Sequence, residues 1–340
     1  MVNLKNGQNI LENQTENFNN VDETFKVLLV SGPRQVGKTT LLKSLMKKDM
    51  NYISLDDEIY RNQARKDPKL FLQEHPAPLF IDEAQYAPNL FSYIKMNVDN
   101  KSENGQYWLT GSQKFHLMKA TSESLAGRVG IIELNSLTYA ETHGNSNPNY
   151  FDPANIEKRE NININELFDC IYKGGMPRLY EQDNLNRRLY FEGYIKTYLE
   201  RDVKNLIKVG NEYSFKKFLV SVASRTGEQL NLQTLSDDAG KSVNTAKRWL
   251  SILVSSGIVY LLQPYMSSEL KRITHLPKII FMDTGLCAYL AGWDSATELK
   301  EDSASGHYLE TYVISEIIKS YHAVGEEPKI SYYRDKEKNE

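Results

Sequence analysis

Apolar residues along this chain follow two rhythms. Between residues 25 and 135 they come as short dense runs, FKVLLV, MNYISL, PLFID, QYWLT and RVGIIEL, set among Gly, Pro, Asp and Asn. Runs of that length, rich in Val, Ile, Leu and aromatics, suit strands buried on both faces of a parallel sheet. They predict strands at 25–30, 50–55, 78–82, 106–111 and 130–135. The stretches between them space apolar residues three and four apart, as with Leu41, Leu42, Leu45 and Met46 in KTTLLKSLMKK, which predicts helices alternating with the strands. An α/β core with a five-stranded parallel sheet follows.

Past residue 163 the rhythm changes. ELFDCIYKGG and RRLYFEGYIKTYLERDVKNLIKVG alternate apolar and charged residues at helical spacing. From about residue 213 three helical patterns follow, the third opening on Ser242 as N-cap after Gly240 in a turn, and then two short apolar runs, IVYLLQPY and KIIFMD. Three helices and a ribbon predict a winged helix-turn-helix. Its third helix buries Val243, Ala246, Trp249, Leu250 and Leu253. It turns Asn244, Lys247, Arg248 and Ser251 outward, residue types that read bases and phosphates. Lys241, Lys271 and Arg272 are further candidate phosphate contacts, while Asp237 and Asp238 beside the turn would repel DNA.

Domain boundaries follow from these shifts. The expected division is a core with a polar N-terminal lead at 1–142, a polar linker at 143–163, a helical segment at 164–210, a winged helix at 211–283 and a partial α/β region at 284–340.

Composition narrows the class. Of 340 residues, 40% are hydrophobic and 25% charged, and the formal net charge is −3, so a nucleic-acid site has to be a local patch. No signal pattern opens the chain and no run is long enough to span a membrane, which leads to a cytoplasmic expectation. Cys170 and Cys287 are far apart among apolar neighbours and read as reduced, buried thiols.

The candidate chemistry sits at the ends of the first runs. Gly32-Pro33-Arg34-Gln35-Val36-Gly37-Lys38-Thr39 matches G-x-x-x-x-G-K-[ST] between a strand and a helix, with Thr40 next. Glycines let the backbone curl so that N–H groups face a phosphate at a helix N-terminus. Lys38 adds a point charge and the Thr39 hydroxyl can ligate Mg²⁺. LFIDE then delivers Asp82 to the metal and Glu83 to the attacking water at the C-terminal end of a strand. The number of strands and the adjacent Glu favour ATP. GTP is disfavoured because the only approach to N-K-x-D, Asn100-Lys101-Ser102-Glu103, lies in a polar turn. Thr110 and Ser112 in YWLTGSQ are candidate γ-phosphate sensors, or a turn whose hydroxyls satisfy backbone groups. Arg128, just before the fifth strand, is either a charge stabiliser for phosphoryl transfer, in cis or in trans, or a surface ion-pair residue.

GPRQVGKTT, LFIDEAQ, YWLTGSQ, SESLAGRV, GGMPRLY, YLERDV and FMDTGLCAYLAG occur in one order. From about residue 21 to the end that series resembles prokaryotic AAA-type (AAA+ superfamily) P-loop ATPases fused to a C-terminal domain of unknown function. The resemblance implies a P-loop core, a helical segment, a winged helix and a decayed nuclease-like region. It also implies that Pro177, in GGMPRLY, packs near the adenine, where the residues alone read as a helix stop and turn; Arg201, in YLERDV, is a candidate γ-phosphate contact or a solvated residue of a helix face. Glu310 and Glu316 mark the helix of the nuclease-like fold, but no metal-binding strand pair follows before Glu340. The expected activity is Mg²⁺-dependent ATP hydrolysis acting as a conformational switch. The alternatives are a DNA-associated regulator and a protein-docking scaffold with little turnover. Duplex DNA, a protein partner and a second copy of the chain are the candidate partners.

Overall fold

The computed structural model describes residues 12–100, 102–111, 124–144, 162–182, 184–198, 212–265 and 276–334. They form two compact units. Residues 12–135, 143–144 and 322–326 make the first, and 136–142, 162–321 and 327–334 the second, within the described residues.

The first unit is built on five strands, β1 (Val27–Ser31), β2 (Asn51–Ser54), β3 (Leu79–Asp82), β4 (Tyr107–Thr110) and β5 (Val129–Glu133). They pair in the order β2-β3-β4-β1-β5, every pair parallel. β1, β3 and β4 are buried along their whole length, as their unbroken apolar runs require. β5 is an edge strand, and it alternates: Ile132 is buried and Ile131 exposed. Crossover helices start where the sequence offers caps. Asp57 accepts from Ile59 N at 2.8 Å to open Glu58–Lys66. Asp67 accepts from Leu70 N at 2.9 Å to open Pro68–Glu74, with Pro68 in its first turn. Leu29, Ile81, Leu109, Phe71, Phe91 and Ile94 meet in the core between these layers.

In the second unit, helices Ile164–Lys173, Arg178–Glu181 and Arg187–Tyr198 are followed by Glu212–Ala223, Leu232–Ala239 and Val243–Ser255. An antiparallel pair, β6 (Val259–Leu262) and β7 (Lys278–Phe281), comes next. Gly240 ends one helix in the left-handed conformation at φ 62°, and Ser242 caps the next through Thr245 N. Trp249 stands edge-on to Phe215 and Phe218, at 5.2 and 5.6 Å. Val243, expected in that buried stripe, is 37% exposed, because it occupies the first turn, ahead of the packed portion that begins at Ala246. Helices Thr284–Ala291, Ala296–Glu301 and Ser305–Ala323 complete the unit.

Segment 136–142 joins this second unit, against the boundary expected at 142. Leu137 N donates to Gly175 O at 2.8 Å, Lys319 Nζ to Leu137 O at 3.1 Å, and Tyr139 N to Glu316 Oε2 at 2.6 Å. Glu310 is held by buried Lys278 at 2.7 Å. Both carboxylates of the nuclease-like expectation are thus engaged by protein donors, and no cluster of three metal-ligating side chains occurs among the described residues.

Candidate nucleotide site

The loop after β1 takes its shape from three residues. Gly32 has φ 144°, and a Cβ there would lie 2.0 Å from the carbonyl oxygen of Leu134, so only glycine fits. Gln35 at φ 60° and Gly37 at φ 97° are left-handed and turn the chain into the helix Lys38–Leu45. Gly37 caps that helix by its backbone alone. Leu134 N donates to Ser31 O at 2.8 Å and ties the wall of the loop to the end of β1.

Lys38 is buried, and its ammonium donates to the carbonyls of Gly32 and Pro33 at 3.0 and 2.6 Å, spanning the loop it follows. Val36 is buried beneath the loop, whereas Gln35 and Thr40 are exposed and Arg34 is half-buried. In the first turn of the helix, the Thr39 hydroxyl donates to both oxygens of Asp82, at 3.2 and 3.0 Å. Asp82, at the C-terminal end of β3, is buried and draws two more hydroxyls from the flanking strands. Tyr52 of β2 donates to Oδ2 at 3.1 Å, and Thr110 of β4 donates to Oδ1. Burial first and the Asp82 carboxylate second push the Tyr52 hydroxyl up to about 12.

Glu83 follows in the left-handed region, at φ 57° and ψ 42°. That conformation is uncommon for a residue with a side chain and recurs at functional positions. The Gln85 amide donates to Glu83 Oε2, and Gln85 is itself buried, its Oε1 without a hydrogen-bond partner.

The expected residues therefore gather unevenly. Residues 32–40, Asp82, Glu83 and Thr110 lie together where β1, β3 and β4 end, with Thr110 bonded to Asp82. Arg128 does not join them in cis. It precedes β5, at the opposite edge of a parallel sheet, where its guanidinium makes two bonds to Asp99 and one to Ala126 O at 2.9 Å. That pairing is the surface ion pair. It holds the Asp99 carboxyl below its usual range and raises Arg128. Pro177 belongs to the second unit, where it caps Arg178–Glu181. Ser112, Arg201, Lys271 and Arg272 lie outside the described residues. Lys241 is half-buried, and Asn244, Lys247 and Arg248 are exposed on or just before the helix Val243–Ser255. Tyr52 and Gln85 were not legible as site residues. The first sits in the middle of a strand whose neighbour depends on strand order, the second in a turn.

The oxygen set suits a divalent cation. A hydroxyl and a carboxylate, both hard donors, are already hydrogen-bonded to each other beside the phosphate loop, and Mg²⁺ is commonly held by one carboxylate, a hydroxyl and the phosphates themselves.

Comparisons with known proteins agree with this geometry. Residues 24–143 match the family described as AAA domain, and residues 164–297 match a domain of unknown function, DUF8612. Uncharacterized proteins of Mycobacterium bovis and Mycobacterium tuberculosis are each 29% identical over 293 residues, 86% of this chain and 62% of theirs. The chain thus spans less than two thirds of the length of these relatives. The fold is similar to that of a Walker-type ATPase of Pyrococcus abyssi, with TM-score 0.53 and 13% identity over 82% of this chain and 95% of that one. The chain therefore carries an AAA-type domain of P-loop fold at residues 24–143, followed by a region that matches a domain of unknown function.

Proposed function

We propose that the chain binds ATP with Mg²⁺, hydrolyses it, and uses nucleotide state as a conformational switch for its C-terminal half. The observation that supports this most is the junction of Thr39 with Asp82 at 3.0 Å, next to a glycine cradle and a buried lysine. Lys38 would exchange two neutral carbonyls for phosphate oxygens, so that both partners of each hydrogen bond carry charge. Backbone N–H groups of Gly32 and of residues 34–40 would orient the phosphates, with the helix N-terminus behind them. Thr39 and Asp82 would hold Mg²⁺, whose charge offsets that of the phosphates when bound. Glu83 would accept a hydrogen bond from the attacking water and orient it. Catalysis of this kind is positioning and charge stabilisation rather than covalent chemistry.

Calorimetry with MgATP and phosphate release test the reading. Lys38→Ala is expected to bind ATP far more weakly. Glu83→Gln is expected to keep binding but lose about 10²–10⁴-fold in turnover, the usual worth of a positioned base. Unchanged turnover in Glu83→Gln would remove that residue from the mechanism, and no heat with the wild-type protein would end the proposal.

A second reading is a DNA-associated regulator. The three helices from Glu212 to Ser255 and the β6–β7 pair are read here as a winged helix-turn-helix, with Asn244, Lys247 and Arg248 exposed along its third helix. A second copy of the chain could supply an arginine in trans, with Arg128 exchanging Asp99 for a phosphate.

A further inference from the structure

Asp82 is heavily hydrogen-bonded. Three hydroxyls from three different elements reach its two oxygens: Thr39 from the helix after the phosphate loop, Tyr52 from β2 and Thr110 from β4. These donors differ in kind. Thr39 contacts both oxygens at similar length, 3.2 and 3.0 Å, and on the Mg²⁺ reading its hydroxyl would have a second destination as a ligand of the cation. Tyr52 and Thr110 each take one oxygen, Oδ2 and Oδ1 respectively. They come from the two strands that flank β3, so the carboxylate is gripped from both sides of its own strand.

We propose that Tyr52 is a positioning residue for the metal site: with Thr110 it fixes the rotation of the Asp82 carboxylate, so that the group stays aimed when Thr39 turns to the cation. This rests on the ATP and Mg²⁺ reading above and assigns the site a residue that the P-loop and acidic-strand motifs do not contain. The lone-pair count explains why two fixed donors are useful. An ionised carboxylate accepts about four hydrogen bonds. Once Thr39 leaves, one strand donor on each oxygen still defines the carboxylate plane, and the remaining lone pairs face the cation or its water. With Tyr52 silent, Oδ2 loses its fixed donor and the carboxylate can rotate about Cβ–Cγ.

The tyrosine is itself held in place. Its ring stands edge-on to Phe80 at a centroid distance of 5.0 Å, and the Lys43 ammonium lies 3.9 Å from the ring centre. Tyr52 pairs with Phe80 in the β2–β3 register, and Ser54 pairs with Asp82, so its hydroxyl reaches along the sheet by one side-chain repeat to the carboxylate. Ring packing and hydroxyl contact are separable. Tyr52→Phe removes the hydrogen bond and leaves the ring.

The experiment measures affinity for a fluorescent ATP derivative in excess EDTA and then as a function of Mg²⁺, for wild type, Tyr52→Phe and Thr110→Val. In EDTA, Tyr52→Phe is expected to match wild type, because the phosphate cradle is intact. The Mg²⁺ concentration that gives half of the metal-dependent gain in affinity is expected to rise by about tenfold, the lower end of what loss of an outer-shell partner costs a metal site. Thr110→Val is expected to shift the same midpoint. An unchanged midpoint in Tyr52→Phe overturns the proposal. So does an equal loss of affinity with and without metal, since that marks a general structural role. If the wild-type protein binds no nucleotide under either condition, the ATP reading itself has failed, which is a different result.

Discussion

At Gly32 two constraints coincide, the backbone angle and the press of the Leu134 carbonyl, and neither leaves room for a methyl group. Gly32→Ala is expected to destabilise the first unit by more than about 1 kcal/mol and to abolish nucleotide binding, checked by denaturant titration and calorimetry. A variant that folds and binds ATP normally would show that the wall can retreat. The glycine was legible from the spacing of the phosphate-loop motif, but the residue it packs against was not, being about a hundred positions away. Asp82 and Glu83 were legible because an apolar run delivers them at its C-terminal end. Position on a strand also bears on where Arg128 lies in the fold. A residue preceding a parallel strand lies at the edge opposite the phosphate loop, where Asp99 meets it.

Short elements carry much of the second unit's chemistry. In the helix Tyr139–Thr142, Glu141 is buried, and its Oε2 accepts from Thr138 N at 2.7 Å and Thr138 Oγ1 at 2.9 Å. Burial dominates and raises its pKa above the ordinary 4.5, although both hydrogen bonds pull the other way. Because the folded carboxyl binds its proton more tightly than the unfolded one, this group favours folding most below pH 4.5. The benefit is lost as pH rises through the folded value. Glu141→Gln, neutral throughout, is therefore expected to be more stable than wild type at pH 7, with the gap narrowing as pH falls towards 5. Denaturant titrations across that range check it, and a variant less stable at every pH would mean that the Thr138 bonds outweigh the buried charge. Capping signals such as Ser242 and Gly240 were readable in the sequence because they act within one turn. The burial of Glu141 was not, because Thr138 is local but the rest of its surroundings is distant in sequence.

For the molecule as a whole, a net charge of −3 leaves DNA affinity to a local patch. On the proposed DNA-associated reading, exposed Lys247 and Arg248 would be one part of it. Lys216 and Lys217 on the helix Glu212–Ala223 line a cleft of about 600 Å³ together with Asp238, which is ion-paired with Arg225 at 2.9 Å. If the winged-helix reading holds, Lys247→Ala/Arg248→Ala should weaken binding to a duplex and reduce the slope of log affinity against log salt by about 2, one unit per phosphate contact. Salt-series gel shifts measure this, and a slope unchanged from wild type would exclude those two residues from the contact.

The strand order also bears on how the chain is made. β1, the earliest in sequence of the five sheet strands, lies between β4 and β5, and the loop that follows it leans on Leu134, just beyond β5. A nascent polypeptide emerging from the ribosome thus has its glycines and lysine early but no finished cradle. The loop meets its wall only when residue 134 has cleared the exit tunnel, so on the proposed reading capture of a triphosphate would wait for the whole sheet.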